Sequence, residues 1–156
     1  MKGNQDLIDR LNSLLADELT AISQYMVHSE MCDNWGYARL HKMIEARAIV
    51  EMKHAEKLIG RILFLEGLPV VSKLNPMMIG SEVPKMFQND LSAESGAIKA
   101  YNDAIKLAQD VGDNATKQLL ESILADEDGH LDEIEENLDQ ISQLGTQLYL
   151  VHQVRE

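Results

Sequence analysis

The sequence predicts an all-α protein, a four-helix bundle with a long crossover between helices two and three and a short C-terminal fifth helix. Apolar residues recur every three or four positions through most of the chain, and strand-like alternation is nowhere sustained. The three prolines, Pro69, Pro76 and Pro84, all fall in the middle, where they separate two helical pairs. The chain has 156 residues, enough to bury the core of one domain, which we expect to span residues 1–156.

Glycines and turn residues divide the periodic pattern into helices. The predicted helices span residues 5–34, 38–66, 82–111 and 114–144, and the short fifth helix spans 146–154. Gly67, followed by Leu68 and Pro69, is typical of a left-handed helix cap with a stop behind it. Ser81 is typical of a residue that caps the start of a helix.

The lengths of the connections predict how these helices are arranged. Short turns at Gly36 and Gly112 make helices one and two, and helices three and four, antiparallel neighbours. The 14 residues from Gly67 to Gly80 can span up to roughly 46 Å when extended. A helix of about 28 residues is about 42 Å long. The linker can therefore run along the whole bundle, which favours a crossover over an up-down-up-down arrangement.

Charge and cysteine content exclude several classes of function. The chain has 14 Lys and Arg against 26 Asp and Glu, a net charge of -12 that repels nucleic acid and attracts cations. The single cysteine, Cys32, excludes an intrachain disulfide and a rubredoxin or zinc-ribbon site. Because no apolar stretch has membrane-spanning length and the N-terminus lacks a signal-peptide pattern, we expect a cytoplasmic protein that binds neither membranes nor nucleic acid.

Two Glu-x-x-His motifs are the candidate functional residues. Glu51 and His54, and likewise Glu127 and His130, are three positions apart, so each pair shares one face of its helix. Each pair can offer a carboxylate oxygen and an imidazole nitrogen to one ion, a ligand set that suits iron or manganese. One such motif alone is weak evidence, because most Glu-x-x-His pairs in Glu-rich helical proteins are solvated surface pairs.

The spacing of the motifs strengthens the metal hypothesis. A set of three residues recurs after 76 positions, with its two Glu residues 33 apart, first as Glu18, Glu51 and His54 and then as Glu94, Glu127 and His130. The midpoint of each set is a predicted turn, Gly36 or Gly112, so each set lies at one level, about 27 Å from its turn. The two hairpins must slip past each other by roughly 10 Å for the sets to meet.

At least three of these carboxylates lie on apolar helix faces. Glu18 has Leu14 and Ile22 as neighbours at four-residue spacing, and Glu127 has Ile123. Burying several ionised carboxylates without compensation is costly, and metal cations supply that compensation when few basic residues share the face. The sequence therefore predicts a buried centre with two divalent ions.

One Glu from each of two helices plus a Glu-x-x-His from each of the other two resembles the ferritin-like di-iron carboxylate family. The chain is similar to the bacterioferritins over essentially its whole length, through the segments MKG, LLADELTAISQY, NWG, EMKHAEKLIGRILFLEGLP, DEDGH and QVRE. The resemblance implies an iron-storage ferroxidase. In such a protein, Fe(II) is oxidised by dioxygen or peroxide, and the ferric product is stored in a homo-oligomeric shell of 24 subunits built from dimers.

The resemblance also implies roles for individual residues. Two glutamates would bridge the irons, two would bind one iron each and two histidines would complete the sites: Glu51 and Glu127, Glu18 and Glu94, His54 and His130. Met52 would lie on a twofold dimer interface, where two copies bind one b-type haem through sulfur. Without the resemblance, Met52 would be ordinary interface packing. A small ferredoxin is the implied electron donor for iron release.

Three departures near the predicted centre bear on its function. Relatives can carry a His and an Asp for an additional iron on the inner surface, where this chain has Ala46 and Val50, so we expect that site to be missing. Arg47 can pair with an acid such as Glu51 or Glu45 or reach the cavity, and either would alter iron entry. Tyr25 is a hydrogen-bond partner or one-electron donor near the metals, or else a core tyrosine with a satisfied hydroxyl.

The sequence leaves two alternative functions open. One is a different ferritin-like di-metal oxidase or peroxidase, although the lack of further cysteines and the stripe that contains Met52 weigh against it. The other is a haem-carrying cage in which the di-iron site is a fixed cofactor and iron is oxidised elsewhere.

Overall fold

The structure, a computed structural model, describes residues 1–155 and contains five helices. They are α1 (Gln5–Asn34), α2 (Ala38–Phe64), α3 (Val83–Asp110), α4 (Asn114–Leu144) and α5 (Thr146–Val151). No strand occurs in the described range, so the predicted all-α class is confirmed. Helix α5 ends three residues earlier than predicted, because the N–H groups of His152 and Gln153 donate to carbonyls only three residues back. Glu156, the last residue of the predicted domain, lies outside the described range.

The helix ends differ in part from the predicted caps. The Asn4 side chain accepts from the backbone N–H of Leu7 at the start of α1. Helix α3 begins after Glu82 without a side-chain cap, so the predicted cap at Ser81 is wrong. After α2 the positive φ belongs to Glu66 rather than to Gly67. Gly67 is needed for close packing instead, since a Cβ there would lie 2.7 Å from Ile8.

The connectivity is the predicted crossover. Helix α1 packs chiefly on α2 and α3 on α4, and the two hairpins meet mainly through α1 and α3. The linker from α2 to α3 runs along α1, whose side chains bind its backbone at successive levels. The side chains of Asn12, Thr20, Gln24 and His28 bind the linker N–H groups of Val70, Asn75, Met78 and Gly80.

Two apolar clusters fill the bundle, one towards each end. One contains Leu11 and Leu58 and the other Ile44 and Phe87, all of them buried. The helix positions between the two clusters carry acidic residues and histidines. Within the described part of the chain, no helix combines the length and apolar character that crossing a membrane requires.

Candidate metal centre

The six predicted ligand residues come together between the two apolar clusters. They form two groups, and in each group one ligand atom per residue lies within 4.8 Å of the others: Glu18, Glu51, His54 and Glu127, and Glu51, Glu94, Glu127 and His130. Two of the residues, Glu51 and Glu127, belong to both groups. The four helices therefore present two adjacent sets of donors that share two carboxylates.

The centre is nearly closed to solvent. The relative exposure of Glu18 is 2%, and that of Glu51, Glu94 and Glu127 is 1% each. The His54 side chain is 1% exposed, whereas that of His130 is 14% exposed. Four carboxylates at this depth need compensating positive charge, because ionised groups lose most of their hydration when they are buried.

Unsatisfied buried side-chain atoms are concentrated at this centre. Six of the seven buried side-chain atoms that lack a hydrogen bond within the described residues belong to this centre, and they are Glu18 Oε2, Glu51 Oε1, His54 Nδ1, Glu94 Oε2, Glu127 Oε1 and His130 Nδ1. An unsatisfied buried polar group costs about 1–3 kcal/mol. His54 Nδ1 lies 3.1 Å from Glu127 Oε1, but the direction is not that of a hydrogen bond. The donors converge on common points, an arrangement that fits two divalent metal ions.

Two tyrosines and an aspartate support the ligand residues from outside. The Tyr25 hydroxyl donates to Glu94 Oε1 at 2.5 Å and the side chain is fully buried, so Tyr25 is both a hydrogen-bond partner of the centre and a core tyrosine with a satisfied hydroxyl. The Tyr101 hydroxyl donates to Glu18 Oε1 at 2.6 Å, and Asp126 Oδ2 lies 2.8 Å from His54 Nε2. Tyr101 was not predicted from the sequence, although the 76-residue recurrence that relates Glu18 to Glu94 also relates Tyr25 to Tyr101.

The electrostatics of the metal-free centre favour retained protons. Burial and the neighbouring Glu18 raise the pKa of Glu51, and burial raises that of Glu94 to about 7. For Glu127, burial acts in the same direction, but the interactions with both histidines outweigh it and lower the pKa. Burial opposes a charge on His54, yet Glu127 and Glu18 raise its pKa to about 10. The centre thus binds protons where it can bind cations, and the two compete.

Arg47 lies in the interior, where its ion pairs are with Asp90 and Glu133 rather than with Glu45 or Glu51. It is 2% exposed, its Nη1 lies 3.4 Å from Asp90 Oδ2, and its Nη2 lies 3.1 Å from Glu133 Oε1. Its guanidinium carbon also lies 5.1 Å from the centre of the Tyr25 ring, a cation–π contact. Arg47 thus pairs with acids, as one sequence-based alternative held, but with acids on α3 and α4 that lie far along the chain.

Met52 lies about 100° round α2 from Glu51 and is 44% exposed. It lines a shallow, mainly apolar groove between α1 and α2, together with Ile22, Met26, Ala48 and Ile49. Ile22 and Met26 belong to the outer side of α1. The methionine sulfur is therefore positioned on an exposed apolar surface.

The fold and the donor set define the class. Residues 8–144 match the family model of the Ferritin-like domain. Among curated proteins, the chain is 43% identical over 147 residues to a bacterioferritin of Rhodobacter capsulatus, covering 94% of this chain and 91% of that protein. It is 40% identical over 149 residues to a bacterioferritin of Brucella melitensis, covering 96% and 92%. A bacterioferritin of Mycolicibacterium paratuberculosis is also 40% identical over 149 residues, with 96% and 94% covered. The chain belongs to the bacterioferritin family.

Proposed function

We propose that the chain is an iron-storage subunit that oxidises Fe(II) at the centre formed by the two Glu-x-x-His motifs. The observation that carries this proposal is the set of six buried donor atoms without hydrogen bonds, four from Glu and two from His. Oxygen and imidazole donors in this ratio suit iron. Membership of the bacterioferritin family supports the choice of iron over manganese.

The residues shared by the two groups support a division of roles. Glu51 and Glu127 belong to both groups and would bridge two bound ions. Glu18 and His54 would complete one position, and Glu94 and His130 would complete the other. Fe(II) would be the substrate here: two Fe(II) ions would give up one electron each, which together with two protons convert dioxygen to hydrogen peroxide, or hydrogen peroxide to two water molecules. The bundle holds the ligands in place, excludes bulk water and lets the tyrosine hydroxyls orient the terminal carboxylates.

A cavity supports a route for Fe(II) to this centre. It has a volume of about 300 Å³ and reaches from the bridging and terminal glutamates to polar side chains beneath the linker. Asp17 and Asn75 line the cavity, are only partly buried and are hydrogen-bonded to each other at 2.7 Å. A partly exposed carboxylate and amide suit a hydrated cation.

The ferroxidase proposal is tested by mixing the metal-free protein with Fe(II) in air and following ferric absorbance by stopped flow. We expect Glu18→Ala and Glu127→Ala to lose the fast phase, because each removes a ligand. Glu121→Ala, which removes an exposed carboxylate from α4, is the matched control and keeps the parent rate. Parent-like rates in the ligand variants would overturn the assignment. Uptake that stops at two irons per subunit would indicate a fixed cofactor, and fast peroxide turnover without mineral would indicate a peroxidase.

We further propose that 24 subunits, built from dimers, form the storage shell, and that the exposed groove with Met52 binds b-type haem at the twofold interface. An apolar groove with one thioether suits a haem face and its axial ligand. The test is the Soret spectrum of the purified protein. Met52→Leu is expected to shift the band or abolish it, whereas Met26→Leu removes a sulfur from the same groove and leaves the band unchanged. An unchanged band in Met52→Leu would exclude Met52 as the ligand.

A further inference from the structure

The two halves of the centre are related by a pseudo-twofold symmetry that can be checked contact by contact. Residues 76 positions apart make the same interactions. Tyr101 donates to Glu18 at 2.6 Å, and Tyr25 donates to Glu94 at 2.5 Å. His54 Nδ1 lies 3.1 Å from Glu127, and His130 Nδ1 lies 3.0 Å from Glu51. The inner contacts of the two metal positions are therefore equivalent.

The symmetry is broken at the histidine Nε2 atoms, which point away from the centre. His54 Nε2 lies 2.8 Å from Asp126 Oδ2. The residue 76 positions before Asp126 is Val50, which has no carboxylate. His130 Nε2 makes no hydrogen bond with any residue in the described range, and the His130 side chain is 14% exposed against 1% for His54. His54 is therefore held by a hydrogen bond on its outer side, whereas His130 is not.

We propose that Asp126 is a positioning residue that makes the two metal positions unequal, so that the position of Glu18 and His54 binds a divalent metal ion more tightly than the position of Glu94 and His130. The inference rests on the proposed di-metal function and adds to it a ranking of the two positions by metal affinity. Since the Nδ1 atoms face the centre, Nε2 must carry the proton of a neutral ligating histidine. At His54 that N–H donates to a carboxylate, which fixes the tautomer and ring orientation and makes Nδ1 more basic.

The expected difference in metal affinity follows from what is generally lost when the hydrogen-bond partner of a ligating histidine is removed. Removing the group that orients a ligating histidine typically weakens metal affinity by about 10–100-fold. Val50 cannot accept a hydrogen bond, so His130 must order its ring when the metal binds. We therefore expect the His130 position to fill second and to release its ion first.

The two positions must be compared separately, because they share Glu51 and Glu127 and a first ion weakens the second by repulsion. The variant His130→Ala keeps the His54 position, and His54→Ala keeps the His130 position. Each full-length, metal-free protein is titrated with Co(II) alone, and binding is followed by its visible absorption and by calorimetry. We expect His130→Ala to bind Co(II) about 10–100-fold more tightly than His54→Ala.

The outer partner is then changed within these backgrounds. In His130→Ala, adding Asp126→Val should lower the Co(II) affinity by about 10–100-fold, while Asp126→Asn, whose amide oxygen still accepts a hydrogen bond, should restore much of it. Adding Asp128→Val, which removes an exposed acid two residues away, is the control for charge and leaves the affinity unchanged. In His54→Ala, adding Val50→Asp should raise the affinity, and adding Val50→Leu should not.

The outcomes separate this inference from the proposed function. If the parent binds two Co(II) ions but the two single-position variants bind equally well, the inequality is wrong. If Asp126→Val and Asp128→Val weaken binding equally, Asp126 acts only through its charge and is not a positioning residue. If the parent binds no Co(II), the di-metal function itself is overturned, and the inference with it.

Discussion

Arg47 and Asp90 form an ion pair in which both side chains are almost completely buried, 1% and 0% exposed, with Nη1 and Oδ2 3.4 Å apart. Asp90 also accepts a hydrogen bond from Gln24 Nε2 at 2.9 Å and contacts His28 Nδ1 at 2.9 Å. Gly80 donates to the other nitrogen of His28. One arginine thus connects α2 to α3, and through Asp90 and His28 to the end of the linker.

Removing this cation should destabilise the protein strongly. Breaking a buried pair by removing one partner costs about 3–5 kcal/mol, because the other charge is left uncompensated. Since Asp90 keeps Gln24 and His28 as partners, we expect Arg47→Met to lower the free energy of unfolding by about 3 kcal/mol. Urea unfolding of the metal-free protein measures this free energy. The control is Lys57→Met, which removes an exposed cation from the same helix. An effect no larger than that of the control would contradict the role of this pair.

Tyr101→Phe tests the support of a terminal carboxylate. The change removes only the hydroxyl that donates to Glu18 and leaves that carboxylate with one partner fewer. A hydrogen bond to a charged group contributes about 1.5–3 kcal/mol, and we expect the metal-free protein to lose that amount in urea unfolding. The control is Tyr37→Phe, whose hydroxyl makes no hydrogen bond within the described residues. Equal losses in the two variants would show that the Tyr101 hydroxyl contributes nothing specific.

The metal-free protein should lose stability as the pH rises. His54 and His130 have pKa values raised from 6.5 to about 10 and about 9, since Glu127 and the terminal glutamates outweigh the effect of burial. The folded state therefore holds these protons more tightly than the unfolded chain does. Their contribution is fully present below about 6.5 and disappears as the pH passes through about 9 and 10.

Thermal unfolding with chelator present, at pH values of about 6, 8 and 10, measures this trend. The His54→Gln and His130→Gln double variant is the control, and its stability should depend less on pH over this interval. Co(II) affinity of the parent should rise over the same interval, because the metal displaces these protons. Stability that increases with pH in the parent but not in the double variant would contradict the assignment.

Two glycines should respond in opposite directions to alanine. A Cβ at Gly80 would lie 2.5 Å from the backbone N and 2.8 Å from the Cα of Met86, and backbone atoms cannot move aside cheaply. We expect Gly80→Ala to cost about 1–3 kcal/mol in urea unfolding. At Gly60, inside α2, a Cβ meets nothing within 4 Å, so Gly60→Ala should add about 0.5–1 kcal/mol. A neutral Gly80→Ala would mean that the linker can move away from the start of α3.

Local signals predicted the helices better than their ends. The periodicity and the turns at Gly36 and Gly112 predicted α1 and α4 with the bounds that the structure shows. The cap expected at Ser81 and the left-handed residue expected at Gly67 were wrong: Glu82 and Glu66 take these positions, although their local preference for them is weaker. The choice at Gly67 depends on its distance from Ile8, more than fifty positions away in the chain.

The sequence by itself determined the bundle, the crossover and the six residues of the centre. Helical periodicity, the length of the linker and the 76-residue recurrence depend only on the spacing of residues along the chain. Only the tertiary structure decided what surrounds them. Asp126 reaches His54 across 72 positions, and Arg47 reaches Asp90 across 43. Such contacts depend on the rotation and offset of packed helices, which side-chain packing sets and residue spacing does not encode. The inequality of the two metal positions is therefore a property of the packed bundle.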